Sequence, residues 1–189
     1  MLTQHAITRR ADDDGVDAAV VERDYVLAHV VAQLHRVELT DGGRLVFKGG
    51  TAIRLVHVGD YRYSADLDLT VLDGRVDQAI ASLSDVLVAA KERSGLPLLE
   101  LTSSAKPAIA YIGPLGAHEP RHIKLDIAAD EYVESIEQGT ILAGVWNDLP
   151  DGVPFDVYPI TEIGAEKLRC VIHASSVAIC TTSSASPKT

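Results

Sequence analysis

The sequence predicts an α/β fold, α+β in its ordering, with a mixed sheet flanked by helices, and three observations carry that expectation. Apolar residues recur every three to four positions over 17–36 and 76–94, the mark of helices. A two-residue alternation over 61–72 marks a half-buried strand, and short apolar runs punctuated by Gly and Pro fill the rest of the stretch from 44 to 128. With 189 residues, 47% apolar and 23% charged, the chain suits one domain, burying roughly 70% of its unfolded surface without disulfides or a structural metal.

Each element has its own signal. Val20, Leu27, Val31 and Leu34 form an amphipathic stripe on a first helix over 17–36. Arg44-Leu45-Val46-Phe47 is a short apolar strand, bounded by Asp41-Gly42-Gly43 before it and Gly49-Gly50 after it. A short helix over 51–58 follows, with an Ile53/Val56 stripe and a stop at Gly59-Asp60. In the next strand, 61–72, Asp66, Asp68 and Thr70 alternate with Leu67, Leu69 and Val71. The helix over 76–94 carries Val76, Ile80, Leu83, Leu87 and Ala90 and ends at Gly95-Leu96-Pro97. Strands follow at 98–103, 108–112 and 122–128, separated by Pro107, Gly113-Pro114 and Glu119-Pro120. Residues 131–159 show no period, and Thr161 reads as the N-cap of a last helix over 162–172. The domain is expected to span 1–172. Residues 173–189 are small, hydroxyl-rich and aperiodic, the composition of a loose tail.

A net charge of −10 excludes a generic basic coat for nucleic acid while leaving room for a local positive cleft. Two cysteines, Cys170 and Cys180, are too few for a disulfide scaffold, and a polar, charged stretch over 1–14 is unlike a secretory leader, so the expected location is cytoplasmic. The sequence has no apolar run long enough to span a membrane. His29, His35, His57, His118, His122 and His173 lack metal-ligand spacing, so zinc and thiol chemistry are not expected.

Three features converge on one chemistry. Lys48-Gly49-Gly50-Thr51 turns from a strand into a helix, where glycines let backbone amides approach an anion and the helix start adds partial positive charge, so the turn suits phosphate. Asp66 and Asp68, one residue apart on a strand, point the same way, and a shared divalent metal such as magnesium would relieve their repulsion. Lys124-Leu125-Asp126 lies on another strand. If it pairs with 61–72, Asp126 faces the same cleft and completes a carboxylate triad of the kind that serves phosphoryl or nucleotidyl transfer, with Asp126 as base or metal-bridging group for an incoming hydroxyl. Each feature alone is common as a turn or a solvated strand face. Their combination is informative.

The runs F-K-G-G-T-A-I-R-L-V from Phe47, Y-R-Y-S-A-D-L-D-L from Tyr61, K-L-D-I from Lys124 and T-E-I-G-A-E-K-L-R from Thr161, with V-E-R-D-Y-V-L-A-H-V from Val21, resemble the AbiEii/AbiGii nucleotidyltransferase toxins, which include the mycobacterial MenT toxins. The resemblance covers about residues 21–172. It implies a polymerase-β-like nucleotidyltransferase fold, a nucleoside triphosphate (NTP) donor, Mg2+, transfer to the 3′ acceptor end of tRNA in the MenT branch, and a cognate antitoxin as partner. It also assigns residues: Gly50 and Thr51, with Gly49 in the same turn, to phosphate binding; Asp66 and Asp68 to metal; and Asp126 as third carboxylate. Lys48 becomes a phosphate or tRNA contact and Lys167 a phosphate-binding lysine. Arg54 and Arg62 are candidates to line the cleft, and Ser64 would lie near the donor phosphates, where modification would set negative charge against the metal site.

Where the family continues with a basic stretch and an R-D-L-Y-D-L helix, this sequence does not, so the family's usual C-terminal helices are expected to be missing. Skipping two bases of the His173 codon lets permitted synonymous codons spell R-V-Q-C-R-D-L-Y-D-L-L-R-L-T-E-D, and the reading is therefore a frameshift from about His173 onward. Alternatives to a toxin acting on RNA are a catalytically weak remnant that binds nucleotide or antitoxin, and a nucleotidyltransferase acting on a small metabolite.

Overall fold

The computed structural model describes residues 1–102, 106–129, 132–149 and 152–182; the expected strand end at Ser103 and the tail from 183 lie outside the described residues. Two helices come first. α1 (Gln4–Asp14) starts where the Thr3 side chain accepts a hydrogen bond from the Ala6 amide. No helix was expected there, because its buried stripe is only Ile7 and Ala11, one turn apart. α2 (Ala18–Val31) starts at Asp17, whose carboxylate accepts from the Ala19 amide at 2.7 Å. It ends earlier than the expected 36, passing into a 3-10 turn at Leu34–Arg36.

Instead of one apolar stripe, α2 is buried almost all round, including Glu22, Asp24 and His29. Each of the two carboxylates is matched: Glu22 accepts from the Leu115 amide and Arg121, and Asp24 from Arg54 and Trp146. A single-helix pattern cannot show this, because the partners lie about 30 to 120 residues away.

The sheet is built from β1 (Arg44–Lys48), β2 (Asp66–Leu72), β3 (Leu98–Leu101), β4 (Ala108–Ile112), β5 (Arg121–Ala129), β6 (Glu137–Gly139) and β7 (Phe155–Val157), in the order β3-β4-β5-β2-β1-β7-β6. β2 runs antiparallel to β1 and parallel to β5, which makes the sheet mixed. Leu67 and Leu69 are fully buried and join Val26 and Val30 of α2 in one core, together with Leu83 and Leu87 of α4 (Val76–Ser94). Each such side chain contributes about 1.5–3 kcal/mol by leaving water. The α4 bounds equal the expected ones because Gly95 caps the helix in a left-handed conformation that residues with a Cβ resist.

The sheet and the last helix also depart from expectation. β2 begins at Asp66, not 61, because residues 59–63 are held by side chains instead of by a neighbouring strand. β6 and β7 lie in the stretch read as irregular; at three residues each they are too short to show a period. The last helix, α5 (Ile160–Thr182), takes Thr161 into its first turn, with the Ile163 amide bonded to the Pro159 carbonyl, so Thr161 is not the cap. It also runs ten residues beyond the expected end at 172, into the stretch read as a loose tail. No Gly or Pro interrupts 173–182, so nothing there stops a helix already formed.

Candidate active site

The parallel register of β2 and β5 sets Asp66 opposite Lys124 and Asp68 opposite Asp126. Residues opposite each other in a parallel pair project from the same face, so one face of the sheet carries three carboxylates and an ammonium group. The antiparallel register of β1 sets Lys48 opposite Asp68 from the other side. The glycine turn joins this group directly. Gly49 has φ +78°, and a Cβ placed there would stand 1.9 Å from Asp68 Oδ2, so the space a side chain would take is filled by the carboxylate. A Cβ at Gly50 would meet Ser64 Oγ at 2.9 Å.

A cavity of about 540 Å³ opens on this face, lined by Lys48, Gly49, Asp68, Asp126, Glu166 and Lys167 among others. Lys48 is 7% exposed, and its ammonium bonds Glu166 of α5 at 2.7 Å and stands 5.6 Å from the Tyr158 ring. Burial raises the Asp68 carboxyl above the ordinary aspartate value; the neighbouring charges of Asp66, Asp126 and Glu166 raise it further, and Lys48 opposes them. Lys124 bonds Asp126, and that bond holds the ammonium in its charged form above the usual lysine value.

The sequence-predicted residues divide accordingly. Lys48, Gly49, Asp68, Asp126 and Lys167 meet at the cavity, with Asp66 on the same strand face as Asp68. Gly50 and Ser64 touch each other beside the turn. The Thr51 hydroxyl is buried and donates to the Asp66 carbonyl at 2.6 Å, which fixes the turn to the start of β2. Arg54 does not reach the site. Its side chain is 4% exposed, pairs with Asp24 at 2.6 Å, and lines a different hollow with Arg10, Arg62 and Tyr63. Two residues at the site escaped the sequence reading. Glu166 falls within the T-E-I-G-A-E-K-L-R run without a role assigned to it, and Tyr158 lies in a stretch without period, so neither carried a signal of its own.

As oxygen donors, Asp66, Asp68 and Asp126 suit a hard divalent cation in chemical type and share one face of the sheet, and their mutual repulsion at Asp68 is what such a cation would relieve. With the side chains as they stand, no three acidic, His or Cys groups among the described residues form a ready cage, and Asp126 is drawn to Lys124.

Residues 33–178 match the family model described as nucleotidyl transferase AbiEii toxin, type IV toxin–antitoxin system. Among solved structures the chain is similar to MenT4, a nucleotidyltransferase toxin from Mycobacterium tuberculosis H37Rv, with a TM-score of 0.65 and 23% identity over 89% of this chain and 58% of that one. The chain thus spans less than two thirds of that protein's length, and at this identity the likeness is one of fold. No curated protein sequence matches significantly. No helix among the described residues is long and apolar enough to cross a membrane.

Proposed function

The chain belongs to the AbiEii family of nucleotidyltransferase toxins, and from that premise we propose that it moves a nucleotide from an NTP onto RNA, at the 3′ acceptor end of tRNA, with Mg2+ and under the control of a cognate antitoxin. The observation that supports this most is the in-register pair Asp68 and Asp126, set beside the glycine turn at Gly49.

Bound at Asp66, Asp68 and Asp126, magnesium would supply charge neutralisation for the phosphates. The remaining roles fall to the protein's own groups. Gly49 lines the same cavity as Lys48 and Lys167, whose positive charge suits phosphate oxygens. The acceptor hydroxyl oxygen attacks the α-phosphorus and pyrophosphate leaves; in this reading Asp126, half exposed, takes the hydroxyl proton.

Incubation with magnesium, each labelled NTP and total tRNA tests the proposal. Label on RNA with the wild type, absent with Asp66→Ala or Asp68→Ala, supports it. Label on a small metabolite alone would replace RNA as the acceptor. The engagement of Asp126 by Lys124 favours one second reading, a weak nucleotide- or antitoxin-binding form. Tight NTP binding without transfer would select it.

A further inference from the structure

Arg54 is the side chain that the sequence placed at the site and the fold buries elsewhere. Its surroundings show what it does. It sits in a π-helical turn (Ile53–His57) that extends the short helix α3 (Gly49–Ala52), closed by a bond of 2.6 Å from the Val58 amide to the Ile53 carbonyl. Such widened turns occur often at functional sites. The Nε of Arg54 donates to Asp24 Oδ1 at 2.6 Å, while one terminal nitrogen donates to two backbone carbonyls, Gly59 at 3.1 Å and Tyr61 at 2.7 Å. The guanidinium carbon lies over the Tyr63 ring, 3.8 Å from its centre. Tyr63 in turn donates to Asp14 of α1.

These contacts fasten residues 59–63, which carry no strand pairing, from one buried cation. The next residue, Ser64, packs against Gly50, and two further on Asp66 begins β2 with its carbonyl held by Thr51. Arg54 and the phosphate turn thus share one helical segment, and the strap that Arg54 fixes returns onto that same turn. We propose that Arg54 is a positioning residue for the triphosphate: by fixing residues 59–63 it sets Ser64 and Asp66 against Gly50 and Thr51, and so shapes the phosphate-binding turn without touching the nucleotide. This rests on the NTP reading above but not on the identity of the acceptor.

Two substitutions separate positioning from packing. Arg54→Lys keeps a cation for Asp24, but an ammonium group lacks the planar fork that serves a carboxylate and two carbonyls at once. Asp24→Asn removes the buried counter-ion and leaves the carbonyl bonds. Affinity is measured by calorimetry with magnesium and a non-hydrolysable NTP analogue, with no acceptor present, below each variant's melting temperature. Arg54→Lys is expected to melt near the wild type, bind the analogue about tenfold more weakly, and raise the KM for NTP while leaving that for RNA unchanged. Asp24→Asn is expected to melt earlier yet keep its affinity. Folded Arg54→Lys with wild-type affinity overturns the proposal, as does loss of affinity in both variants in step with stability. Should Arg54→Lys fail to fold, Tyr63→Leu, which removes the stacked ring and keeps the Asp24 pair, should bind about threefold more weakly; unchanged binding then overturns it. Wild type that binds the analogue but labels no RNA would sink the RNA-transferase reading and leave this comparison standing.

Discussion

Asp68 of β2 and Asp126 of β5 stand opposite each other in a parallel ladder, two carboxylates on one sheet face with the Lys48 ammonium on the strand to the other side. Like charges so placed work against folding, and Asp68 shows it: burial first, then Asp66 and Asp126, resist its ionisation. Asp68→Asn should therefore raise the melting temperature by a few degrees, equivalent to about 1 kcal/mol, while transfer falls at least about 100-fold. Thermal denaturation and the labelling assay, run on one preparation, check both halves.

Gly49→Ala tests the turn from the other side. The new methyl group would overlap the Asp68 carboxylate and hold a left-handed conformation that alanine resists, costing about 1–2 kcal/mol. A folded protein with displaced Asp68 and no detectable transfer is the expected result, read by circular dichroism and the same assay.

Glu166 is an acid facing a cavity proposed to take a polyanion. Glu166→Gln should lower the KM for NTP a few-fold by removing that repulsion. Because Glu166 is one-third exposed, the loss of stability should stay near 1 kcal/mol or less. Steady-state kinetics and melting curves decide it; a raised KM would mean that Glu166 serves to aim Lys48.

His29 sets a pH dependence far from the site. It is buried, 3.7 Å from Asp148, and its Nε2 has no hydrogen-bond partner. Burial lowers its pKa more than Asp148 raises it. The unfolded chain then takes up a proton near pH 6.5 that the folded chain refuses, so the contribution is intact above about pH 6.5 and is lost as pH falls toward the lowered folded value. The wild type should lose up to about 1.4 kcal/mol per pH unit in that window relative to His29→Gln, measured by urea denaturation between pH 7.5 and 5.5.

The coding DNA offers a check that needs no protein. Leu168 and Ile172 of α5 are each 65% exposed, apolar side chains left in water where a following helix could cover them. Codon choices from His173 onward are expected to spell R-D-L-Y-D-L in the shifted frame. Synonymous choices that do not spell it end the frameshift reading.

Much of the site could be read from local pattern because its parts are local. The i, i+2 spacing of Asp66 and Asp68 and the glycines after Phe47 have a meaning that needs no third dimension, and the alternation of Leu67, Leu69 and Val71 gives the face they share. Arg54 could not be read this way. It sits three residues from the turn, yet its partner Asp24 is thirty residues back and its carbonyl acceptors lie in the following loop. The same holds for Glu166, brought to Lys48 across 118 residues by α5. For α2, helical period showed where the helix lies but not that its polar residues are buried, since burial is decided by α1, α4 and the loops that close over it.

One described side chain makes the cavity observable. Cys170 of α5 carries a free, exposed thiol and belongs to the same wall as Lys167 and Asp126. With Cys180 replaced by Ser, a fluorescent maleimide attached at Cys170 would report on ligand arrival as a change in emission, and protection of the thiol from labelling would rank nucleotides by occupancy. Which triphosphate the protein prefers could then be asked before any acceptor is known.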